Sequence, residues 1–239
     1  YENRTAKLKL NEATLKRIDD EYAQLAGDAT EEVIEKSKAD LSGLEALVGS
    51  DERMAMLADD IIAHYEDRQY VLTGKAMIVC MTRRIAIKLY KKLLERRPDW
   101  KDKVKVVLTS SNQDPEDWHD IIGNKAYRDG LAIEFKDNSS EFKIAIVVDM
   151  WLTGFDVPSL ATMYVYKPMS GYNLMQAIAR VNRVFRDKEG GLVVDYVGIA
   201  SALKAAMNDY TKRDRKNYGD TDVAKVAYPK FIEKLEICM

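Results

Sequence analysis

Apolar and polar positions follow two different patterns along the chain, and the pattern changes near residue 74. Residues 1–70 contain few glycines, no proline and apolar side chains at helical spacing, and they show no alternation typical of strands. After residue 74, short runs of consecutive apolar residues alternate with amphipathic stretches. Such runs are typical of strands that are covered on both faces. The pattern therefore predicts a helical segment followed by an α/β domain.

The apolar runs also predict the order of the elements. Strands are predicted at residues 76–81, 103–108, 143–148, 160–166 and 192–196, and helices at 83–97, 116–135 and 173–183. Strands that alternate with helices indicate a parallel sheet with helices on both faces. We divide the chain into a helical connector (1–70), the α/β domain (71–200) and the start of a C-terminal helical region (201–239). Helical segments are thus expected to flank the sheet on both sides.

Composition excludes several classes of protein. Apolar residues make up 46% of the 239-residue chain, and the longest apolar run, Ala76–Met81, is far shorter than the roughly 18 residues that a membrane span needs. Cys80 and Cys238 form neither a metal-binding spacing nor a disulfide framework. We predict a cytoplasmic protein. Because the chain begins at Tyr1 with neither an initiator methionine nor a signal peptide, we expect it to be part of a longer protein.

Charge is unevenly distributed, although the formal net charge is only −2. Residues 1–70 carry a net charge of −8, and residues 71–239 carry +6. Ten basic and three acidic side chains lie within residues 83–105. A basic surface beside an acidic segment favours an anionic partner such as nucleic acid, although most charged runs are simply solvated helix faces.

The residues that follow each predicted strand are the first candidates for function, because parallel sheets bind ligands outside the carboxyl ends of their strands. The sequence contains neither the phosphate-binding loop GxxxxGK[ST] nor GxGxxG. Asp149 ends a strand as the magnesium-binding acid of nucleotide-binding proteins does. Without a phosphate-binding loop upstream, a structural role for Asp149 is favoured. His64 and His119 are too isolated for a metal site, and none is predicted.

The helix predicted at residues 173–183 has two distinct faces. At about 100° per residue, Gln176, Arg180 and Arg183 lie within about 60° of one another, and the apolar side chains lie on the opposite side. Two guanidinium groups on one face match the geometry of phosphate oxygens and keep their charge at physiological pH. A solvated amphipathic helix is the alternative interpretation of this face.

A loop of distinctive composition follows the third predicted strand. In residues 153–158 (TGFDVP), Gly154 permits close approach of a ligand to the backbone, and the proline fixes the exit of the loop. Thr153 offers a hydroxyl group to a phosphate, and Asp156 offers a carboxylate to a sugar hydroxyl. A tight loop with a solvated aspartate would give the same pattern. Its combination with the glutamine and two arginines of the following helix is more specific.

Together these segments resemble the motifs of superfamily 2 helicases and translocases. Residues 153–158 resemble motif V, residues 176–183 (QAIARVNR) resemble motif VI, and residues 78–83 (IVCMTR) resemble motif IV. The longer strings at 147–158 (VVDMWLTGFDVP) and 175–183 (MQAIARVNR) are closer still to the motor (R) subunit of type I restriction enzymes. This resemblance extends over nearly the whole chain. It implies the second lobe of such a motor, in which the parallel sheet is RecA-like.

The resemblance also implies roles at a nucleotide. Arg180 and Arg183 are expected to reach the γ-phosphate of ATP, which is bound with Mg²⁺ mainly by a partner lobe. Gln176 is expected to orient the phosphate or a water molecule, and Gly154 and Asp156 are expected to meet the nucleotide. An arginine in this position contributes roughly 10³–10⁵ to the rate in related phosphoryl transfer.

Four further residues are implied to hold the DNA backbone: Thr82, Arg83, Thr109 and Thr153. Contacts to phosphates carry no sequence information, which suits an enzyme that moves along any sequence. The implied partners are double-stranded DNA and the methyltransferase and specificity subunits of a restriction complex.

The expected function is therefore that of a fragment of a type I restriction endonuclease R subunit, the second lobe of an ATP-dependent double-stranded DNA translocase. ATP would bridge two lobes, and its hydrolysis would release the bridge so that alternating grips step the protein along the duplex. The fragment alone is expected to be inactive. Two alternatives remain: another superfamily 2 DNA helicase or repair translocase, and a non-catalytic RecA-like interaction module whose arginine face binds a protein carboxylate.

Overall fold

A computed structural model describes residues 1–25, 48–70, 72–111, 114–186 and 188–208. The strands are β1 (Glu2–Asn3), β2 (Lys75–Cys80), β3 (Val104–Val107), β4 (Ile144–Val147), β5 (Leu160–Tyr166) and β6 (Leu192–Asp195). The helices are α1 (Glu12–Leu25), α2 (Asp51–Gln69), α3 (Arg83–Arg96), α4 (Glu116–Ile122), α5 (Lys125–Lys136) and α6 (Gly171–Val181). Short 3₁₀ turns lie at Thr5–Leu8 and Pro98–Trp100, and residues 200–208 are helical.

The six strands form one parallel sheet in the order β1-β6-β5-β2-β4-β3. Every residue of β2, β4 and β5 is buried, which explains why these strands consist almost entirely of apolar residues rather than alternating ones. The five strands predicted from the sequence are confirmed as β2 to β6, with ends that shift by at most one residue. The RecA-like parallel sheet predicted for the chain is confirmed as well.

The connections place helices on both faces of the sheet. The chain runs from β2 to β3 through α3 in one direction and returns towards β6 through α5, residues 148–159 and α6 in the other. Because such crossovers are right-handed, α3 lies on one face, and α5, residues 148–159 and α6 lie on the other. α2 packs beside α3, to which an ion pair between Asp59 and Arg96 joins it. Residues 148–159 link β4 to β5 and are called the crossover loop below.

Helix α3 shows how local sequence determines these elements. The Thr82 side chain caps its N-terminus by accepting a hydrogen bond from the backbone N–H of Ile85 at 3.2 Å. Pro98 follows its C-terminus, where a proline cannot continue a helix. The apolar stripe faces the sheet, and its buried members are Ile85, Ala86, Ile87, Leu89 and Leu93.

The N-terminal segment differs from the prediction in one respect. Residues 1–70 were expected to contain no strand, but Glu2 and Asn3 pair with Val194 and Asp195 and so form the edge strand β1 of the sheet. Two residues are too few to show an alternating pattern. Their conformation depends instead on tertiary hydrogen bonds such as that from Arg4 N–H to the Asp195 carbonyl at 2.7 Å. Helix α2 is confirmed, whereas the helical predictions for residues 26–47 and 209–239 lie outside the described residues.

The buried Asp195 stabilises the end of β6. The carboxylate of Asp195 accepts hydrogen bonds from three consecutive backbone N–H groups, those of residues 197–199, at 2.7–2.9 Å. It thereby fixes the turn that leads from β6 into the helical residues 200–208. Within the described ranges, no helix combines the length and the apolar character needed to cross a membrane.

Candidate functional site

Helix α6 carries the first part of the predicted site. Leu174, Ala177 and Val181 are buried against the sheet, so the predicted apolar face is confirmed. Gln176 and Arg180 lie one turn apart on the other face. The predicted extension of this helix to Arg183 is wrong, because α6 ends at Val181.

A turn at Asn182 ends α6 and changes the direction of the chain. Asn182 adopts φ −84° and ψ 51°, and the backbone N–H of Arg183 donates to the Val181 carbonyl at 2.9 Å. Arg183 therefore reaches the site from this turn and not from the helix face.

Arg183 binds Asp156 of the crossover loop. Its Nη1 lies 2.7 Å from the Asp156 carboxylate oxygens, and the two side chains are 44% and 50% exposed. This pair joins the two segments that the sequence had singled out, although they lie 27 residues apart. Both groups face solvent, so a ligand can reach either side chain.

Arg180 has an unsatisfied donor. Its Nε is shielded from solvent and has no hydrogen-bond partner among the described residues. A buried N–H without a partner is unfavourable, and such groups in proteins are commonly satisfied by a ligand or by ordered water. Arg180 therefore stays a candidate for binding an anionic ligand, as the sequence predicts, and the Nε of Arg83 also has no partner in the described part of the chain.

The crossover loop presents its tip to solvent. Thr153 and Gly154 are exposed, and Gly154 adopts φ +71°, a conformation that favours glycine. A Cβ atom at this position would meet nothing within 4 Å, so open space lies over the glycine. Trp151 precedes this tip and Phe155 follows it, and their rings stack with centres 4.1 Å apart.

The arginine end of α6 lies towards the amino end of β5. Lys188, which is buried, donates hydrogen bonds from Nζ to the carbonyls of Val181 at 2.8 Å and Leu160 at 2.7 Å, and Leu160 is the first residue of β5. Burial, followed by the charge of Arg183, lowers the pKa of Lys188 to about 8. The arginines thus occupy the sheet face shared by α6 and the crossover loop, and not the carboxyl edge that a general rule for parallel sheets indicated.

The second group of predicted residues does lie at the carboxyl edge. Arg83 donates to both carboxylate oxygens of Asp114 at 2.7 and 2.6 Å and to the Thr109 carbonyl at 2.7 Å. The Arg83 guanidinium holds the pKa of the Asp114 carboxyl below its usual range. Arg83 therefore anchors the segment after β3, and Thr109 lies exposed beside it. Thr82 caps α3 at the same edge, whereas Thr153 lies in the crossover loop.

The remaining polar candidates have partners within the fold. Asp149 forms an ion pair with the buried Lys167 at the end of β5, as a structural role requires. His64 lies between the Tyr164 hydroxyl at 2.9 Å and the Glu2 carboxylate at 3.2 Å, and burial lowers its pKa. Sequence reasoning did not find Asp114, Lys188 or the role of Trp151. Only the spacing of Trp151 and Phe155 around a glycine gave any signal.

The fold is a RecA-like parallel sheet with helices on both faces, and the two segments singled out in the sequence meet through Arg183 and Asp156. Residues 96–198 match the family model described as type I restriction enzyme subunit R domain 3. The chain belongs to the R-subunit family of type I restriction enzymes.

Two curated relatives agree with this assignment. The chain is 43% identical over 219 residues to a Methanocaldococcus jannaschii protein named as a type I restriction enzyme MjaIXP endonuclease subunit, covering 91% of this chain and 21% of that protein. It is 44% identical over 201 residues to the type I restriction enzyme HindI endonuclease subunit of Haemophilus influenzae, covering 80% and 19%. A solved fragment of an HsdR subunit from Vibrio vulnificus YJ016 is 18% identical, with a TM-score of 0.49 over 65% of this chain and 30% of that chain. The chain thus spans about a fifth of the length of the curated relatives.

Proposed function

We propose that this chain is the second lobe of an ATP-driven translocase that moves double-stranded DNA, within a type I restriction endonuclease. The observation that carries the proposal is the arrangement on one sheet face. Arg183 is held by Asp156, and Arg180 presents a shielded Nε that has no partner among the described residues. Two fixed positive charges beside a glycine-containing loop fit the phosphates of a nucleotide.

In this proposal the two arginines act on the γ-phosphate of ATP bound by another lobe. Charge develops on the phosphoryl oxygens as the bond to the leaving group lengthens, and a guanidinium group already in place stabilises that charge without reorganisation. Gln176, one turn before Arg180, orients the phosphate or the attacking water. Gly154 leaves room for the nucleotide, and Asp156 meets it through its carboxylate.

DNA contact is assigned to the carboxyl edge of the sheet and to the loop tip. The hydroxyl groups of Thr82, Thr109 and Thr153 contact backbone phosphates in this proposal. Arg83 contributes charge at the same edge, and its pairing with Asp114 fixes the segment that presents Thr109. Such contacts bind any sequence, and their affinity falls as salt rises.

The residues present do not fit a Mg²⁺ site. Across the described ranges, no three His, Cys, Asp or Glu side chains are grouped so that they could hold a metal ion. We therefore assign Mg²⁺, together with the phosphate-binding loop for ATP, to the partner lobe of the motor. In this proposal the present chain contributes the two arginines and the loop that positions them.

The partners follow from the same proposal. An R subunit that cuts or moves DNA in a type I system works with methyltransferase and specificity subunits, and the relatives named above are endonuclease subunits. We accordingly propose the cytoplasm as the site of action and a DNA-bound restriction complex as the assembly.

Replacement of Arg180 in the full-length protein tests the proposal. Arg180→Ala is expected to abolish DNA-stimulated ATP hydrolysis, with a loss of roughly 10³-fold or more, while nucleotide binding and thermal unfolding stay near those of the wild type. Arg96→Ala is the matched control, since Arg96 pairs with Asp59 on the opposite face of the sheet. Near-normal hydrolysis by Arg180→Ala would remove the arginine from this role and favour a non-catalytic module.

A further inference from the structure

The crossover loop is held in a shape that its backbone does not favour. Trp151 adopts φ +67°, in the left-handed region that bulky side chains rarely occupy. Gly154, three residues later, adopts φ +71°. A glycine takes up this conformation freely, but a tryptophan keeps it only where its contacts over-determine it. The contacts of Trp151 therefore reveal what the strained conformation achieves.

Those contacts form a stack of three aromatic rings. Trp151 lies 4.1 Å from Phe155 with an angle of 16° between the rings, and 5.4 Å from Phe135 of α5 with an angle of 26°. The stack is buried at Trp151, which is 9% exposed. On its outer side the Lys136 ammonium lies 5.0 Å from the Phe155 ring centre. We call Phe135, Trp151 and Phe155 the aromatic clasp.

The clasp closes the loop on itself and fixes it to a helix. The two left-handed residues reverse the chain between Trp151 and Phe155, so that their rings meet face to face with the tip exposed between them. Phe135 then holds both rings against α5. The loop has no helix or strand of its own, and among the described residues the clasp is its aromatic attachment to α5.

The clasp lies next to the ion pair of the proposed site. Phe155 directly precedes Asp156, whose carboxylate binds Arg183. An ion pair whose two side chains are about half exposed is too weak to order a loop by itself. Its two neighbours fix the Asp156 backbone: Val157 is buried in the core, and on the other side the ring of Phe155 is stacked on Trp151.

We infer that Trp151 is a positioning residue: through Phe155 it sets the place of Asp156 and, through Asp156, that of the Arg183 guanidinium. The inference rests on the proposed function for its catalytic consequence, whereas the ordering of the loop is a property of this chain alone. Trp151 itself makes no contact with the reacting groups in this account. Its effect passes through Asp156.

The first test measures the loop directly, by hydrogen–deuterium exchange in the full-length protein without nucleotide. Trp151→Ala is expected to speed exchange of the amides at residues 153–158 by about ten-fold or more, because the loop loses its attachment. Trp151→Phe keeps a ring in the stack and is expected to retain protection. Tyr127→Leu serves as the control, because it removes an aromatic ring of α5 that does not belong to the clasp.

The second test measures hydrolysis in the same variants. Trp151→Ala is expected to lower kcat for DNA-stimulated ATP hydrolysis by about 100-fold, the size of effect that a misplacement near 1 Å produces. The KM for ATP is expected to change little, and Trp151→Phe should recover most of the rate. If Trp151 acts through Asp156, the double variant Trp151→Ala/Asp156→Ala should be no slower than Asp156→Ala alone.

The outcomes separate this inference from the proposed function. Unchanged exchange at residues 153–158 in Trp151→Ala, or fully additive losses in the double variant, would overturn the positioning role. If Arg180→Ala hydrolyses ATP normally while Trp151→Ala loosens the loop, the proposed function fails and the clasp stands as an ordering device. A general loss of folding would appear as faster exchange throughout the chain, and the Trp151→Phe variant would then decide.

Discussion

The guanidinium of Arg183 lies 2.7 Å from the carboxylate of Asp156, although the two residues belong to separate segments and neither lies in a helix or strand. Their pairing depends on two turns, one at the end of α6 and one in the crossover loop. Because both side chains are about half exposed, the pair contributes little to stability. Its consequence is positional, since it holds the positive charge of Arg183 beside the crossover loop.

Removal of the charge on Asp156 should affect hydrolysis more than folding. In the full-length protein, Asp156→Asn is expected to lower DNA-stimulated ATP hydrolysis by about 100-fold or more, because Arg183 loses the anion that orients it. The thermal unfolding midpoint should stay within about 1 °C of the wild type, as expected for an exposed pair. Asp102→Asn, at an exposed pair with Lys105, is the control. Equal rates for wild type and Asp156→Asn would contradict the positional role.

The Arg83–Asp114 contact should matter for stability and for DNA binding. Asp114 is almost fully buried, so Asp114→Asn leaves Arg83 with an incomplete partner and is expected to cost about 1–3 kcal/mol in the free energy of unfolding. DNA affinity should fall as well, because Thr109 loses its fixed position. Asp117→Asn is the control, because Asp117 lies three residues after Asp114 and forms an exposed ion pair with Lys91. It should change the free energy of unfolding by less than about 0.5 kcal/mol. Equal effects of the two variants in denaturant unfolding would argue against an anchoring role.

His64 should make the stability of this chain depend on pH. Burial lowers its pKa in the folded chain, so the unfolded chain binds a proton at a higher pH than the folded one. Stability should therefore decrease as the pH falls through about 6.5, the ordinary histidine value, and the decrease should be complete below the lowered pKa. Thermal unfolding at pH 7.5 and pH 5.5 measures this difference. His64→Gln should reduce it, and a pH response that survives in His64→Gln would assign it to other groups.

The 239-residue chain by itself is expected not to hydrolyse ATP. Its sequence has no phosphate-binding loop, and the proposed arginines act on a nucleotide that another lobe holds. A phosphate-release assay with and without duplex DNA checks this expectation. DNA-stimulated turnover by the purified chain would show that a complete active site lies within it.

The strands and most of α6 could be predicted from the sequence because their signal is local. Continuous apolar runs marked the buried strands, and helical spacing marked Leu174 and Val181. The edge strand at Glu2 and Asn3 could not be predicted, since its conformation depends on hydrogen bonds to β6, almost 200 residues away.

The candidate site, too, was predictable only where its signal is local in the sequence. Its residue types were predictable from two short segments, but their contacts were not. Helix α6 ends before Arg183. The guanidinium of Arg83 pairs with Asp114, which lies 31 residues later in the chain. Helical periodicity describes a face only as far as the helix continues, and the partner of a charged side chain depends on tertiary packing.

A structure of the full-length protein with duplex DNA and a transition-state analogue of ATP would show whether the two arginines act on the nucleotide. We expect guanidinium nitrogens of Arg180 and Arg183 to lie about 3 Å from the oxygens of the γ-phosphate mimic, with the ring of Trp151 still stacked on that of Phe155. Guanidinium groups that both remain on protein carboxylates or in solvent while the nucleotide site is occupied would contradict the proposed function.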